Sequence, residues 1–200
     1  MLKTYTAHKD LVDRVQNTYE YFDRKHSTIA IGSAAILLHL YDSGIDISSS
    51  PVLMDVPDTD ALANEYFIGQ LYDDLKEGNY PDGFQFELFG PNNSNATGYD
   101  TDGIRVADAA ADLSLPFEAF PKYNDSSHGI DINSARNTAM TRGNGQLIMP
   151  MREIITWKLS VGRPRDLAYC AELLNVLRAN DYLLPENQQE LEAPLKSKMQ

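Results

Sequence analysis

Apolar residues recur at helical spacing over residues 6 to 25, where Leu11, Val12, Val15, Tyr19 and Phe22 form a stripe between charged positions. The period then changes. Thr28 to Ile31 is a short β-branched apolar run, which predicts a buried strand, and it stops at Gly32-Ser33. Ser33 to Tyr41 follows as an apolar helix, closed by the turn Asp42-Ser-Gly-Ile. Pro51 to Val56 predicts a second strand, opened by a proline that has no place in the centre of a ladder. Asp58 is expected to cap a helix that runs through Leu62, Tyr66 and Leu71 to about Gly78. Phe84 to Phe89 alternates and predicts a third strand, and Ile104 to Val106 a further short one. Between them, Gly90 to Asp102 is rich in Asn, Gly, Ser and Asp and predicts a loop or hairpin connection. Residues 107 to 145 carry little pattern beyond a strand tendency around Gly129 to Ile132.

The last third is more legible. Met151 to Val161 (Ile154, Ile155, Leu159) and Pro164 to Arg178 (Leu167, Ala171, Leu174, Leu177) predict two amphipathic helices. Gly162 suits the end of the first and Pro164 the first turn of the second. From Pro185 the chain is charged and Gln-rich and is expected to fray. Interleaved helices and strands followed by two late helices predict an α+β (α/β) fold, a small mixed β-sheet flanked by helices. The expected organisation is a core over residues 1–145, a C-terminal helical pair over 146–180 packed on it, and a tail over 181–200.

Composition narrows the function classes. With 200 residues and 42% hydrophobic content, the chain can bury a core of its own. Its net charge of -12 repels phosphodiester backbones, which argues against nucleic acid as a partner. A small anionic ligand held by a local basic cluster escapes that repulsion. Cys170 is the single cysteine, so neither an internal disulfide nor a multi-cysteine metal site is available, and its apolar surroundings predict a buried small residue. No apolar run reaches transmembrane length, and Met-Leu-Lys-Thr-Tyr-Thr lacks a signal-peptide core. A cytoplasmic protein without membrane partners is expected, with the sequons at Asn92, Asn95 and Asn124 as chance products of polar loops. His39, inside an apolar helix, is expected to be a satisfied core histidine, and Trp157 a core residue or a cap over the helix pair. His128 beside Ser126, Ser127 and Gly129 has no Gly-x-Ser-x-Gly or ordered triad to support a hydrolase.

Gly32-Ser33 carries the strongest chemical signal. A strand that turns there directly into a helix presents backbone N–H groups and a hydroxyl at the positive end of the helix dipole, a seat for phosphate. Ala30-Ile-Gly-Ser33, the helix, and Asp46-Ile47 then resemble the signature of the nucleotidyltransferase-fold superfamily. That signature is Gly-Ser or Gly-Gly at a helix start, followed some ten residues later by Asp-x-Asp or Asp-x-Glu on a strand. Gln146-Leu-Ile-Met-Pro-Met-Arg-Glu-Ile-Ile-Thr-Trp-Lys158 with Gly162-Arg-Pro-Arg-Asp166 resembles a helix pair of the minimal nucleotidyltransferases, including abortive-infection toxins of the AbiEii type. The two blocks span roughly residues 25 to 178.

The resemblance implies a nucleotidyltransferase-like fold and in-line transfer of a nucleoside monophosphate from a nucleoside triphosphate. Mg²⁺ or Mn²⁺ would be held by two carboxylates on one strand and a third on a neighbour. It assigns Asp46 and Glu87 as catalytic, with Asp46, Asp55 and Glu87 as metal ligands. Gly32, Ser33, Lys158, Arg165 and Asp166 would bind substrate. Ser48 stands where a second acid would follow Asp46, and Asp55 at the far end of the Pro51–Val56 run is the substitute. Asp58 and Asp60 also form an Asp-x-Asp, but Pro57 precedes them and a helical pattern follows, so they read as a cap and a first-turn acid. Glu87 reads equally as an outward-facing strand residue. Lys158, Arg163 and Arg165 face an anion or brace the turn at Asp166. Three functions remain open at this point. One is an active nucleotidyltransferase with a small-molecule or protein acceptor. Another is a degenerate one that binds a nucleotide or a protein partner, and the third is a toxin-like component paired with an antitoxin-like partner.

Overall fold

The computed structural model describes residues 2–22, 28–80, 84–89, 103–108, 115–123, 130–182 and 185–199. The sequons, the 90–102 connection and the His128 cluster lie outside the described residues. The architecture is mixed α/β, as the interleaved periodicities predict. Helix α1 (Leu2–Phe22) leads into β1 (Thr28–Ala30), α2 (Gly32–Asp42), α3 (Pro51–Met54), β2 (Thr59–Ala63) and α4 (Glu65–Lys76). Strands β3 (Phe84–Phe89), β4 (Gly103–Asp108), β5 (Phe117–Phe120), β6 (Lys122–Tyr123) and β7 (Ile130–Asp131) follow. Then come α5 (Ile132–Thr138), β8 (Met140–Thr141), β9 (Leu147–Ile148), α6 (Met151–Val161), α7 (Pro164–Ala179) and α8 (Pro185–Lys198).

Among the described residues, seven strands form one mixed sheet in the order β3-β4-β5-β2-β1-β9-β8. At its centre β2 runs antiparallel to β1 and parallel to β5, with Asp60 opposite Glu118. The central strands are short and built of small or β-branched residues because they are covered on both faces. Ile29, Ala61, Leu62 and Ala63 are all fully buried. On one face the aromatic end of α1 packs over the outer strands, Phe22 stacking on Phe117 at 4.9 Å and Tyr21 on Phe84 at 5.6 Å. Helices α6 and α7 form the expected pair, and Gly162 ends α6 in the left-handed conformation that its φ of 71° requires. His39 is buried, its Nε2 2.8 Å from the Met149 carbonyl to which it donates, and burial keeps its pKa low. No helix among the described residues is long and apolar enough to cross a membrane.

Three expected elements differ. Pro51–Val56 does not make a strand: Ser50 accepts a hydrogen bond from the Leu53 amide, Pro51 takes the first helical position, and a single turn of helix results. The helix expected to start at Asp58 starts at Glu65 instead, capped by Asn64, whose Oδ1 accepts from the Phe67 amide at 2.7 Å. Residues 59 to 63 are strand, because pairing on both sides outweighs the helical preference of Ala-Leu-Ala. The segment expected to fray from Pro185 is α8. Leu191 and Leu195, four apart, bury their side chains, and α8 packs against α6 and α7. At its far end the Lys198 ammonium donates to the Ser160 carbonyl at 2.8 Å, satisfying an end carbonyl of α6.

Candidate active site

Strand β1 ends where β2 begins, so the start of α2 and the start of β2 lie side by side. Asp60 is fixed there through its carbonyl, which accepts from the Ile31 amide at 3.0 Å and from the Tyr19 hydroxyl at 2.6 Å. Thr59 points the other way and is fully buried, its amide and hydroxyl both bonded to the Pro116 carbonyl. Alternation across Thr59 therefore puts Asp58 and Asp60 on one face. On the neighbouring parallel strand Phe117 and Ala119 turn into the core, and Glu118 turns toward the same face. One oxygen from each of Asp58, Asp60 and Glu118 lies within 4.8 Å of the others, close enough to share a divalent cation.

Gly32 faces this cluster. Its φ is +71°, and a Cβ built on it would come 2.5 Å from Asp60 Oδ2. Only glycine allows the helix to begin this close to the carboxylate. No side chain caps α2 at Ile31, and its first turn holds no acid, so its leading N–H groups keep their capacity for an anion. Ser33 and the three acids line a cleft of about 270 Å³, whose opposite wall is Lys158, Arg163, Arg165, Asp166 and Tyr169.

The acids are electrostatically unsatisfied. Burial, then the charges of Asp58 and Glu118, push the Asp60 carboxyl up to about 8 despite Lys158 and Arg163. Asp58 is raised chiefly by burial, against the pull of Arg165 and Arg105, and Glu118 by burial and by Asp58. Arg105 on β4 approaches Glu118 with Nε 3.3 Å from Oε1. Three crowded carboxylates that resist ionisation make a place where a divalent cation would balance the charge.

The basic wall is built differently. Lys158 and Asp166 are both buried and bonded at 3.0 Å, and Arg163 Nε reaches the other oxygen of Asp166 at 2.6 Å. Burial alone would raise the pKa of Asp166, but Lys158 and Arg163 outweigh it and hold it low. Lys158 is therefore committed to joining α6 to α7 at the cleft wall. Replacing it with methionine is expected to cost about 3 kcal/mol, because Asp166 stays buried with Arg163 alone. The double change Lys158→Met/Asp166→Leu should recover most of that. Urea unfolding measures both, and a loss under about 1 kcal/mol in the single variant would show that the pair does not hold the helices together.

The residues expected to form the site divide. Gly32, Ser33, Lys158, Arg165 and Asp166 gather at the cleft. Asp46, Asp55 and Glu87 do not converge with them. Asp46 is spent on its own turn, where Oδ1 accepts from the Ser48 amide at 2.9 Å and the Ser48 hydroxyl at 2.7 Å and lies 3.5 Å from His8 Nδ1. Asp55, at the end of α3, is exposed and pairs loosely with Arg165 at 3.5 Å. Glu87 is exposed on the edge strand β3, opposite Arg105, and three strand spacings, about 14 Å, separate it from Asp60. The acids that do converge are Asp58 and Asp60, which the sequence presents as a helix cap, and Glu118, in a segment with little pattern. Their available signals are the Asp-x-Asp spacing itself and the alternation of Phe117-Glu-Ala-Phe120. No family model, no curated protein and no solved structure matches this chain.

Proposed function

We propose that the chain is a divalent-cation-dependent nucleotidyltransferase that moves a nucleoside monophosphate from a nucleoside triphosphate to a hydroxyl of a small molecule or protein. The observation that carries this reading is the convergence of Asp58, Asp60 and Glu118 beside the uncapped start of α2 at Gly32-Ser33. Mg²⁺ or Mn²⁺ bound by the three carboxylates would neutralise charge on the phosphates. The chain's own groups do the rest. The α2 amides and the Ser33 hydroxyl seat phosphoryl oxygens, and the exposed Arg165 offers a planar donor at the rim. Glu118, at the side of the cluster away from α2, takes the proton of the incoming hydroxyl. The hydroxyl oxygen bonds to the α-phosphorus, the bond from that phosphorus to the bridging oxygen breaks, and pyrophosphate leaves with the electron pair. A chain of net charge -12 favours acceptors other than nucleic acid.

Pyrophosphate release from each of four ribonucleoside triphosphates, with Mg²⁺ or Mn²⁺ and a cell extract as acceptor source, tests the reading. Wild-type protein should release it with at least one nucleotide. Glu118→Gln should lose about 10² to 10³-fold in rate, and Glu87→Gln should not differ from wild type. Equal loss in the two variants, or no release from wild type with any nucleotide, would sink the enzyme reading.

A further inference from the structure

The register of the sheet sets four charged residues in one row. Glu87 on β3 stands opposite Arg105 on β4, Arg105 opposite Glu118 on β5, and Glu118 opposite Asp60 on β2. Residues paired across strands share a face, so all four lie on the side of the sheet that carries the cleft. The other side of these strands is closed: Phe22 stacks on Phe117 there, and Tyr72 of α4 meets Phe86 edge-on at 5.6 Å. Arg105 therefore has an acid one strand away on either hand. Among the described residues its ion pair is with Glu118, Nε 3.3 Å from Oε1, and Glu87 at the exposed edge forms none with it. Shelter favours that choice, since the Glu118 side chain is 16% exposed and its attraction is screened less than that of an edge residue. Arg105 is no part of the cleft wall. It stands behind Glu118, on the side away from Asp60.

That position bears on what Glu118 can do. A divalent cation held with Asp58 and Asp60 would draw both oxygens of Glu118 inward. A carboxylate with both oxygens on an ion is a poor proton acceptor, whereas one that keeps an oxygen outside can receive a proton. We propose that Arg105 is a positioning residue, which keeps Oε1 of Glu118 off the ion and so reserves that carboxylate as the base for the acceptor hydroxyl. Asp58 and Asp60 then carry most of the ion binding, with Glu118 limited to its other oxygen. The guanidinium takes one acceptor position on Oε1 and leaves a second for the incoming proton. The role as base rests on the nucleotidyltransferase reading; the hold on Oε1 rests on the geometry of the row.

Mn²⁺ titration of the full chain by electron paramagnetic resonance, alongside transfer rates and thermal melting, decides it. Arg105→Met should bind Mn²⁺ about three- to tenfold more tightly than wild type, because a competing cation is gone and both oxygens of Glu118 can close on the ion. Its kcat should nevertheless fall about 10- to 100-fold, with KM for the nucleoside triphosphate unchanged. Arg105→Lys, which keeps the charge, should return the Mn²⁺ affinity to that of wild type and recover part of the rate. In a Glu118→Gln background, Arg105→Met should alter Mn²⁺ affinity by less than about twofold. Melting temperatures should stay near wild type, since the Arg105 side chain is 46% exposed. A joint fall of Mn²⁺ affinity and rate in Arg105→Met would mark a residue that merely builds the cluster and would overturn the proposal. Unchanged Mn²⁺ affinity, an unchanged rate, or the same gain in affinity with Glu118 already replaced would overturn it as well. Should wild type transfer no nucleotide while the Mn²⁺ pattern holds, the hold on Glu118 stands and the nucleotidyltransferase reading falls.

Discussion

Asp60→Asn should abolish Mn²⁺ binding and lower the proposed nucleotidyl transfer by roughly 10³-fold, while leaving the ion-free fold as stable as wild type or more so. The reason is the burial of Asp60 and the crowding of the acids around it. Two unit charges 4.8 Å apart repel by about 3 kcal/mol at an effective dielectric of about 20, and Asp60 has two such neighbours. Burial is the larger cause, and with this repulsion it pushes the Asp60 carboxyl up to about 8. In the unfolded chain an aspartate titrates near 3.9, on the order of four units lower. Asp60 therefore keeps its proton in the folded state over a window where the unfolded chain has lost it. Its contribution to stability is whole below about pH 4, declines as pH rises, and stops changing above about pH 8. Asparagine has nearly the same shape and no charge, so the variant escapes that decline.

Cation binding has the opposite dependence. An ion must displace the proton, so wild-type affinity for Mn²⁺ should climb from about pH 6 to about pH 8 and then level. The gain in melting temperature on adding Mn²⁺ should be larger at about pH 8.5 than at about pH 6. The several kcal/mol of charge neutralisation that a bound ion would supply to the proposed reaction correspond to the lost factor in rate. Mn²⁺ titration followed by electron paramagnetic resonance, with melting curves at both pH values, provides the check. A wild-type melting temperature indifferent to Mn²⁺ at either pH would remove the cation from the site.

What can be read from the sequence follows from where contrast survives in it. The turn at Gly32-Ser33 stands out because β-branched residues give way to glycine and then to an unbroken apolar helix. The α6–α7 pair stands out because two apolar stripes flank Gly162 and Pro164. The acids that make the site lack such contrast. Thr59-Asp-Ala-Leu-Ala63 is buried on both faces, so it shows no alternation; its small residues serve close packing and imitate a helix, and Pro57-Asp58 imitates a cap. Glu87 is conspicuous because β3 alternates cleanly. Clean alternation, however, marks a strand with one face in water, and that face is where Glu87 lies. The resemblance also places its acids some ten residues after the Gly-Ser turn at the helix start. In this chain the connection from Ser43 to Asp58 is longer and includes α3, so Asp46 falls near the expected distance while Asp58 is the one that reaches the cleft.

Gly32→Ala should lower stability by about 2–5 kcal/mol and weaken Mn²⁺ binding in the same molecule. Two costs combine. An alanine at φ +71° sits in the left-handed region, at about 1–2 kcal/mol. Its methyl would also lie 2.5 Å from Asp60 Oδ2 and 3.2 Å from Asp60 Cβ. Rotating the carboxylate relieves only the first contact. The second involves an atom fixed to a backbone held by Ile31 and Tyr19, so strand and helix must part, an overpacking cost of about 1–3 kcal/mol. Either response moves Asp60 relative to Asp58 and Glu118 and spoils the shared cation geometry. Gly44 supplies the comparison, with φ +70° and nothing within 4 Å of the point a Cβ would occupy, so Gly44→Ala should incur the backbone cost alone and bind Mn²⁺ as wild type does. Urea unfolding of the two variants, each with an Mn²⁺ titration, separates conformation from contact. Equal losses of stability and equal affinities would mean that the start of α2 does not press on Asp60, and position 32 would then need glycine for its dihedral angle alone.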